Sequence, residues 1–83
     1  MPKFIDYHAA LPELPPEAVK QMIARVKAGE RDPHGVRPLN VFIGKGEGWC
    51  LTEAADADAV VKSHEAQGFR IKQSDVHEVQ SLV

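Results

Sequence analysis

Cysteine is nearly absent: Cys50 stands alone. No intrachain disulfide can form, so packing has to hold the fold, and a lone thiol suits a reducing, cytoplasmic setting. Long apolar runs are also missing. Nothing approaches the roughly 20 consecutive apolar residues of a membrane span, and the opening stretch from Met1 to Ala10, which carries Asp6 and His8, does not read as a signal peptide. Nor does one sign of charge dominate. Ten Lys and Arg stand against twelve Asp and Glu, a formal net charge of −2. The one local basic run, Lys20, Arg25, Lys27 and Arg31, lies along the exposed side of an expected helix. A nucleic-acid partner, which asks for basic residues gathered on one face, is therefore not expected, and neither is a membrane.

What is present describes one small globular domain over residues 1–83. Hydrophobic residues make up 43% and charged residues 27%, which excludes disorder across the chain. A chain of this size buries only roughly 60% of its unfolded surface, so a partner subunit would help it. Lys3 to His8, led by Phe4, Ile5 and Tyr7, predicts a first strand. Pro15 and Pro16 open a helix to Ala28, with Val19, Met22, Ile23 and Val26 as its apolar stripe and Gly29 as its stop. Val36 to Ile43 predicts a second strand with Leu39, Val41 and Ile43 on one face. Gly44, Gly46 and Gly48 mark a hairpin into a third strand, Trp49 to Glu53. Asp56 is a natural N-cap for a second helix bearing Val60, Val61 and His64, closed by Gly68. A last strand is expected over about Asp75 to Ser81. The order β-α-β-β-α-β predicts an α+β, ferredoxin-like fold, a four-stranded antiparallel sheet with two helices on one face. The other face is left for solvent or a second subunit. With Phe4 and Phe42 assigned to that face, a homodimer is expected.

Four histidines are the candidates for chemistry. His64 falls on the apolar stripe of the second helix, where leucine would pack better. It is either a core histidine bonded to a carbonyl or carboxylate, or a ligand or proton carrier. His8 ends the first strand, which the expected order places centrally, within reach of the second helix. Neutral imidazoles suit nickel, copper or zinc, and His8, His64 and His77, the last on the neighbouring fourth strand, form the candidate metal set. His34, in the Asp32-Pro33 loop, is expected in solvent. Cys50 between Trp49 and Leu51 reads as a small buried hydrophobe. Gly44-Lys45-Gly46-Glu47-Gly48 fails the phosphate-loop pattern, because no Gly-Lys-Ser/Thr opens a helix there. Glu53, at the end of the third strand, has the chemistry of a general base or a carboxylate ligand, although a Glu there is more often a rim residue.

Cys50-Leu51-Thr52-Glu53-Ala54, then Asp56-Ala57-Asp58-Ala59-Val60, with His64 beyond, resembles the pattern of a family of small, mostly bacterial proteins of unknown function. Met1-Pro2-Lys3-Phe4-Ile5-Asp6 and Gly35-Val36-Arg37 are similar to it too. The resemblance spans nearly the whole chain. It implies a ferredoxin-like fold, and because a nickel-binding dimer is among that family's members, it implies nickel or another divalent transition metal as cofactor. The competing expectation is an enzyme of the dimeric α+β barrel type acting on a small organic molecule. There His8 or His64 would move protons in an apolar pocket lined by Trp49 or Tyr7.

Overall fold

The computed structural model describes residues 1–82. Strand β1 (Lys3–His8) leads through a proline-rich turn to helix α1 (Pro16–Ala28). β2 (Arg37–Ile43) and β3 (Gly48–Glu53) form a hairpin, followed by α2 (Ala57–Ala66), a short 3-10 turn (Gln73–Asp75) and β4 (Val76–Val79). The sheet is antiparallel in the order β2-β3-β1-β4, the ferredoxin-like arrangement expected from the element order. Among the described residues no helix is long and apolar enough to cross a membrane.

Local chemistry explains the boundaries. Pro16 sits in the first turn of α1, where its missing N–H is no loss, and Gly29 ends the helix at φ 66°, a left-handed conformation that a side chain would resist. Asp56 caps α2 by accepting from the Ala59 amide at 2.8 Å. The hairpin turns where Gly46 adopts φ 72°, and the Leu11 amide is pinned to the Gly46 carbonyl at 2.8 Å. The last strand is shorter than expected: the 3-10 turn takes Asp75 at its start, and pairing with β1 ends at Val79, opposite Lys3.

Pairing decides which side chains face the helices. Phe4 is opposite Thr52, Asp6 opposite Cys50 and Val76, and His8 opposite Gly48, so these positions share one face. Ile5, Tyr7, Trp49 and Leu51 take the other face. Phe4 is 4% exposed in the core, with Val36, Ala54, Val60, Ile71 and Val76. The expectation that Phe4 lies on the open face is thus corrected: only Phe42, opposite Trp49 and 47% exposed, is there. A register shift between Pro38 and Asn40 also takes Leu39 out of line with Val41 and Ile43, which pair with Cys50 and Gly48.

The core is lopsided. Val60 on α2 is fully buried, a side chain whose burial contributes about 1.5–3 kcal/mol. Helix α1 buries no residue at all: Val19 and Ile23 of its stripe are 39% and 49% exposed. The sheet is sealed beneath α2 and left open beneath α1, and the polar residues described next lie at the boundary between the two halves.

Candidate metal centre

Four side chains converge on the helix side of the sheet. β1 supplies Asp6 and His8, two residues apart and so on one face; β3 supplies Cys50, directly opposite Asp6; α2 supplies His64 from above. One donor atom from each lies within 4.8 Å of all the others. Asp6 is fully buried and His64 is 8% exposed.

The contacts are specific. His8 Nε2 is 2.7 Å from Asp6 Oδ1, and His64 Nε2 is 3.3 Å from the same oxygen. His8 Nε2 is also 3.7 Å from Cys50 Sγ. The two imidazole rings are 5.2 Å apart. His64 Nδ1 is held 2.8 Å from the Val60 carbonyl, one helical turn back. That contact orients the ring and directs Nε2 into the cluster, the way a backbone carbonyl positions a metal-ligating histidine.

Both imidazoles meet the same Asp6 oxygen as ion-pair contacts rather than well-aligned hydrogen bonds, and Oδ2 has no hydrogen-bond partner. A buried carboxylate is costly unless paired. Protonated histidines pair with it in the metal-free protein, and a metal ion among the four donor groups would take their place.

Electrostatics agree with a tightly coupled cluster. Burial pushes the Asp6 carboxyl up, but His64 and then His8 outweigh it and hold it below the usual range. The neighbouring Asp6 carboxylate, and after it Cys50, raise His8 to about 9. Burial pulls His64 down, yet the contacts with Asp6 and Cys50 carry it up to about 10. Burial raises the Cys50 thiol, and His64 and His8 more than reverse this, so its net shift is downward.

A cysteine, a histidine and an aspartate together invite comparison with nucleophilic triads. The geometry argues against one. In such a triad the acid holds one ring nitrogen and the nucleophile meets the other. Here Asp6 and Cys50 both approach Nε2 of His8. Donors that share a focus fit a bound ion better than a proton relay.

No family model matches the chain, and no curated protein does. Among solved structures, the crystal structure of SCO4226 from Streptomyces coelicolor A3(2) is similar, with a TM-score of 0.71 and 25% identity, covering 98% of this chain and 99% of that one. It supports the ferredoxin-like fold over essentially the full length.

Of the histidines singled out from sequence, His8 and His64 come together. His77 stands apart: it is exposed and pairs with Ile5, so strand alternation points it to the opposite face of the sheet. His34 is exposed in its loop, as expected, with its amide donating to Asp32 Oδ1 at 2.9 Å. Glu53 is occupied by Arg31 at 2.5 Å and Arg37 at 3.5 Å. Two members of the cluster, Asp6 and Cys50, were not in the sequence-derived set. A period-2 reading of β1 gives the missing signal for Asp6, because it places a carboxylate between Phe4 and His8 on the buried face.

The cluster borders a cavity between α1 and the sheet. His8, Cys50 and His64 form part of its wall, and Leu11, Met22 and Val26 much of the rest. Trp49 borders it as well. Tyr7 faces away, its hydroxyl donating to Glu47 Oε2 at 2.7 Å, which removes it from the expected pocket lining.

Proposed function

We propose that this protein binds a late first-row divalent transition metal through Asp6, His8, Cys50 and His64, nickel being the ion its sequence resemblance points to. The observation that carries the reading is the convergence of the His8 and His64 Nε2 atoms on one oxygen of the buried Asp6 carboxylate, beside the Cys50 thiol. Two imidazoles, a thiolate and a carboxylate form a borderline-soft donor set. It favours nickel, zinc or copper over magnesium and calcium, which prefer oxygen ligands.

Calorimetric titration of metal-stripped protein with nickel, zinc, copper and magnesium tests this. One site per chain is expected for the transition metals and none for magnesium. His77→Ala, on the far face, is expected to leave nickel affinity unchanged. A parent protein that takes up no transition metal would remove the reading.

The dimer belongs to the same proposal. The open sheet face carries Ile5, Tyr7, Phe42, Trp49 and Leu51, with Tyr7 and Trp49 rings 5.5 Å apart. A second copy of the chain laid on that face would cover them, and the metal centres lie on the opposite side of each sheet. Light scattering at micromolar concentration is expected to return twice the chain mass, and Phe42→Glu is expected to return the monomer. A parent protein that is monomeric would end the dimer reading and leave the metal centre intact.

A further inference from the structure

The hollow beneath α1 has a shape and a lining that metal binding leaves unused. Its inner part, about 80 Å³, has His8, Cys50 and His64 in its wall. An outer hollow of about 340 Å³ lies between α1 and β2. Leu14, Met22, Val26, Val41 and Ile43 line both, so the two adjoin. Protein interiors ordinarily close-pack, but α1 buries none of its residues, and Ile23 and Ile43 along the outer hollow are 49% and 58% exposed.

The inner wall is also biased in charge. No Asp or Glu lines it; its ionisable side chains are His8, His64, Cys50 and Arg25. Arg25 is held in place through its Nη1 donating to Gln67 Oε1 at 2.5 Å. Asp6 is fully buried and does not line the cavity. The space therefore has a polar end without carboxylates, an apolar path leading away from it, and exposed aliphatic side chains along that path.

We infer that the hollow beneath α1 takes a medium-chain aliphatic carboxylate, its head group at the His8–Cys50–His64 end and its tail along Met22, Val26 and Ile43. A small inner hollow with the polar residues, adjoining a larger apolar one, suits a small head group followed by an apolar tail. A water needs about 10–15 Å³ of such space, so the inner part admits a carboxylate and its first few methylenes, and the outer hollow receives the remainder. The assignment shares residues with the metal reading but takes its charge from Arg25, because Asp6 and Cys50 would neutralise a divalent ion bound among them.

The test uses protein labelled at the Met, Ile and Val methyl groups, nickel-loaded and metal-free, titrated with butyrate, hexanoate and octanoate, and with 1-octanol as the neutral control. In the loaded protein, saturable shifts are expected at Met22, Val26 and Ile43. Affinity should rise by up to about fourfold per buried methylene. Octanoate should bind about tenfold more tightly than octanol, the difference between charged and neutral hydrogen bonding. Val26→Trp, which fills the passage, is expected to lose octanoate and keep nickel. Arg25→Gln is expected to weaken octanoate and leave octanol unchanged. Nickel uptake is measured separately by calorimetry, so a protein that takes octanoate but no nickel overturns the metal centre and upholds the acid site. A protein that takes nickel but shows no saturable shifts overturns the acid site alone. Equal affinity for octanol and octanoate, or no dependence on chain length, overturns the inference. So do methyl shifts that grow with protein concentration before any acid is added, since these assign the groove to a second copy of the chain.

Discussion

Asp6→Asn is expected to lower nickel affinity on the order of a hundredfold or more, at least the upper end of what outer-shell substitutions cost a metal site. The substitution keeps the volume of a fully buried side chain. What it removes is the charge: the amide keeps one oxygen to face His8 Nε2 and His64 Nε2, which approach Asp6 Oδ1 at 2.7 and 3.3 Å, but turns the other into an NH2 that cannot ligate a cation. The metal-free protein changes in a second way. With the carboxylate gone, burial dominates at His64 and its pKa should fall from about 10. Loss of folding would also bring His64 down, toward the ordinary value of about 6.5, so the imidazole titration by NMR is read only on a variant whose circular dichroism matches the parent. Breaking a buried charge cluster by removing one partner typically costs about 3–5 kcal/mol. The variant is accordingly read beside His64→Gln, which keeps Asp6, and by far-UV circular dichroism. Both variants should remain folded and both should bind nickel weakly. If Asp6→Asn binds nickel like the parent, the carboxylate is not a ligand and the centre reduces to His8, Cys50 and His64.

Much of this arrangement was legible in the chain. The expected bounds of α1 coincide with those observed, because Pro16 and Gly29 punctuate it through backbone chemistry that tertiary contacts do not override. His64 on an apolar helical stripe was recognisable as a buried, hydrogen-bonded histidine, and it bonds the Val60 carbonyl. Pairing details were less visible. Phe4 was assigned to the open face, although the alternation that puts Phe4, Asp6 and His8 together depends only on knowing which face α2 covers. The shift at Leu39 reflects a local irregularity between Pro38 and Asn40 that no period-2 pattern contains. Cys50 read as a small hydrophobe because its character is conferred by His8 and Asp6, which are distant in sequence and adjacent across the β1–β3 ladder. His77 shows the opposite problem: a neighbouring strand brings it near β1, and the alternation of side chains turns it away. Proximity between strands is readable from topology, but the facing of a side chain needs the register.

Nickel affinity is expected to rise steeply with pH across the neutral range and beyond it. An unperturbed histidine would place the change near pH 6.5. The cluster moves it upward: His8 titrates near 9 and His64 near 10, so both are imidazolium at neutral pH in the metal-free protein. Ligation requires neutral imidazole, and the ion must displace both protons. Two protons released per ion correspond to about a hundredfold gain in affinity per pH unit while both groups remain protonated, and Cys50 adds to the slope wherever it is still a thiol. The sign for metal-free stability runs the other way. Histidines whose folded pKa is raised stabilise the fold fully below about 6.5, and that contribution is lost as pH rises through about 9 to 10. Asp6, whose pKa is lowered, stabilises it above its unfolded value of 3.8 and loses this as the solution becomes more acidic. Metal-free protein should thus soften toward alkaline pH where the metal-bound form is strongest, so the nickel-induced gain in melting temperature should widen between pH 6.5 and 8.5. Calorimetry at pH 7.5 in buffers of different ionisation enthalpy gives the count directly, with about two protons or more released per nickel expected. An affinity that is flat above pH 7, with no proton release, would mean that the imidazoles are already neutral and that Asp6 does not hold them charged.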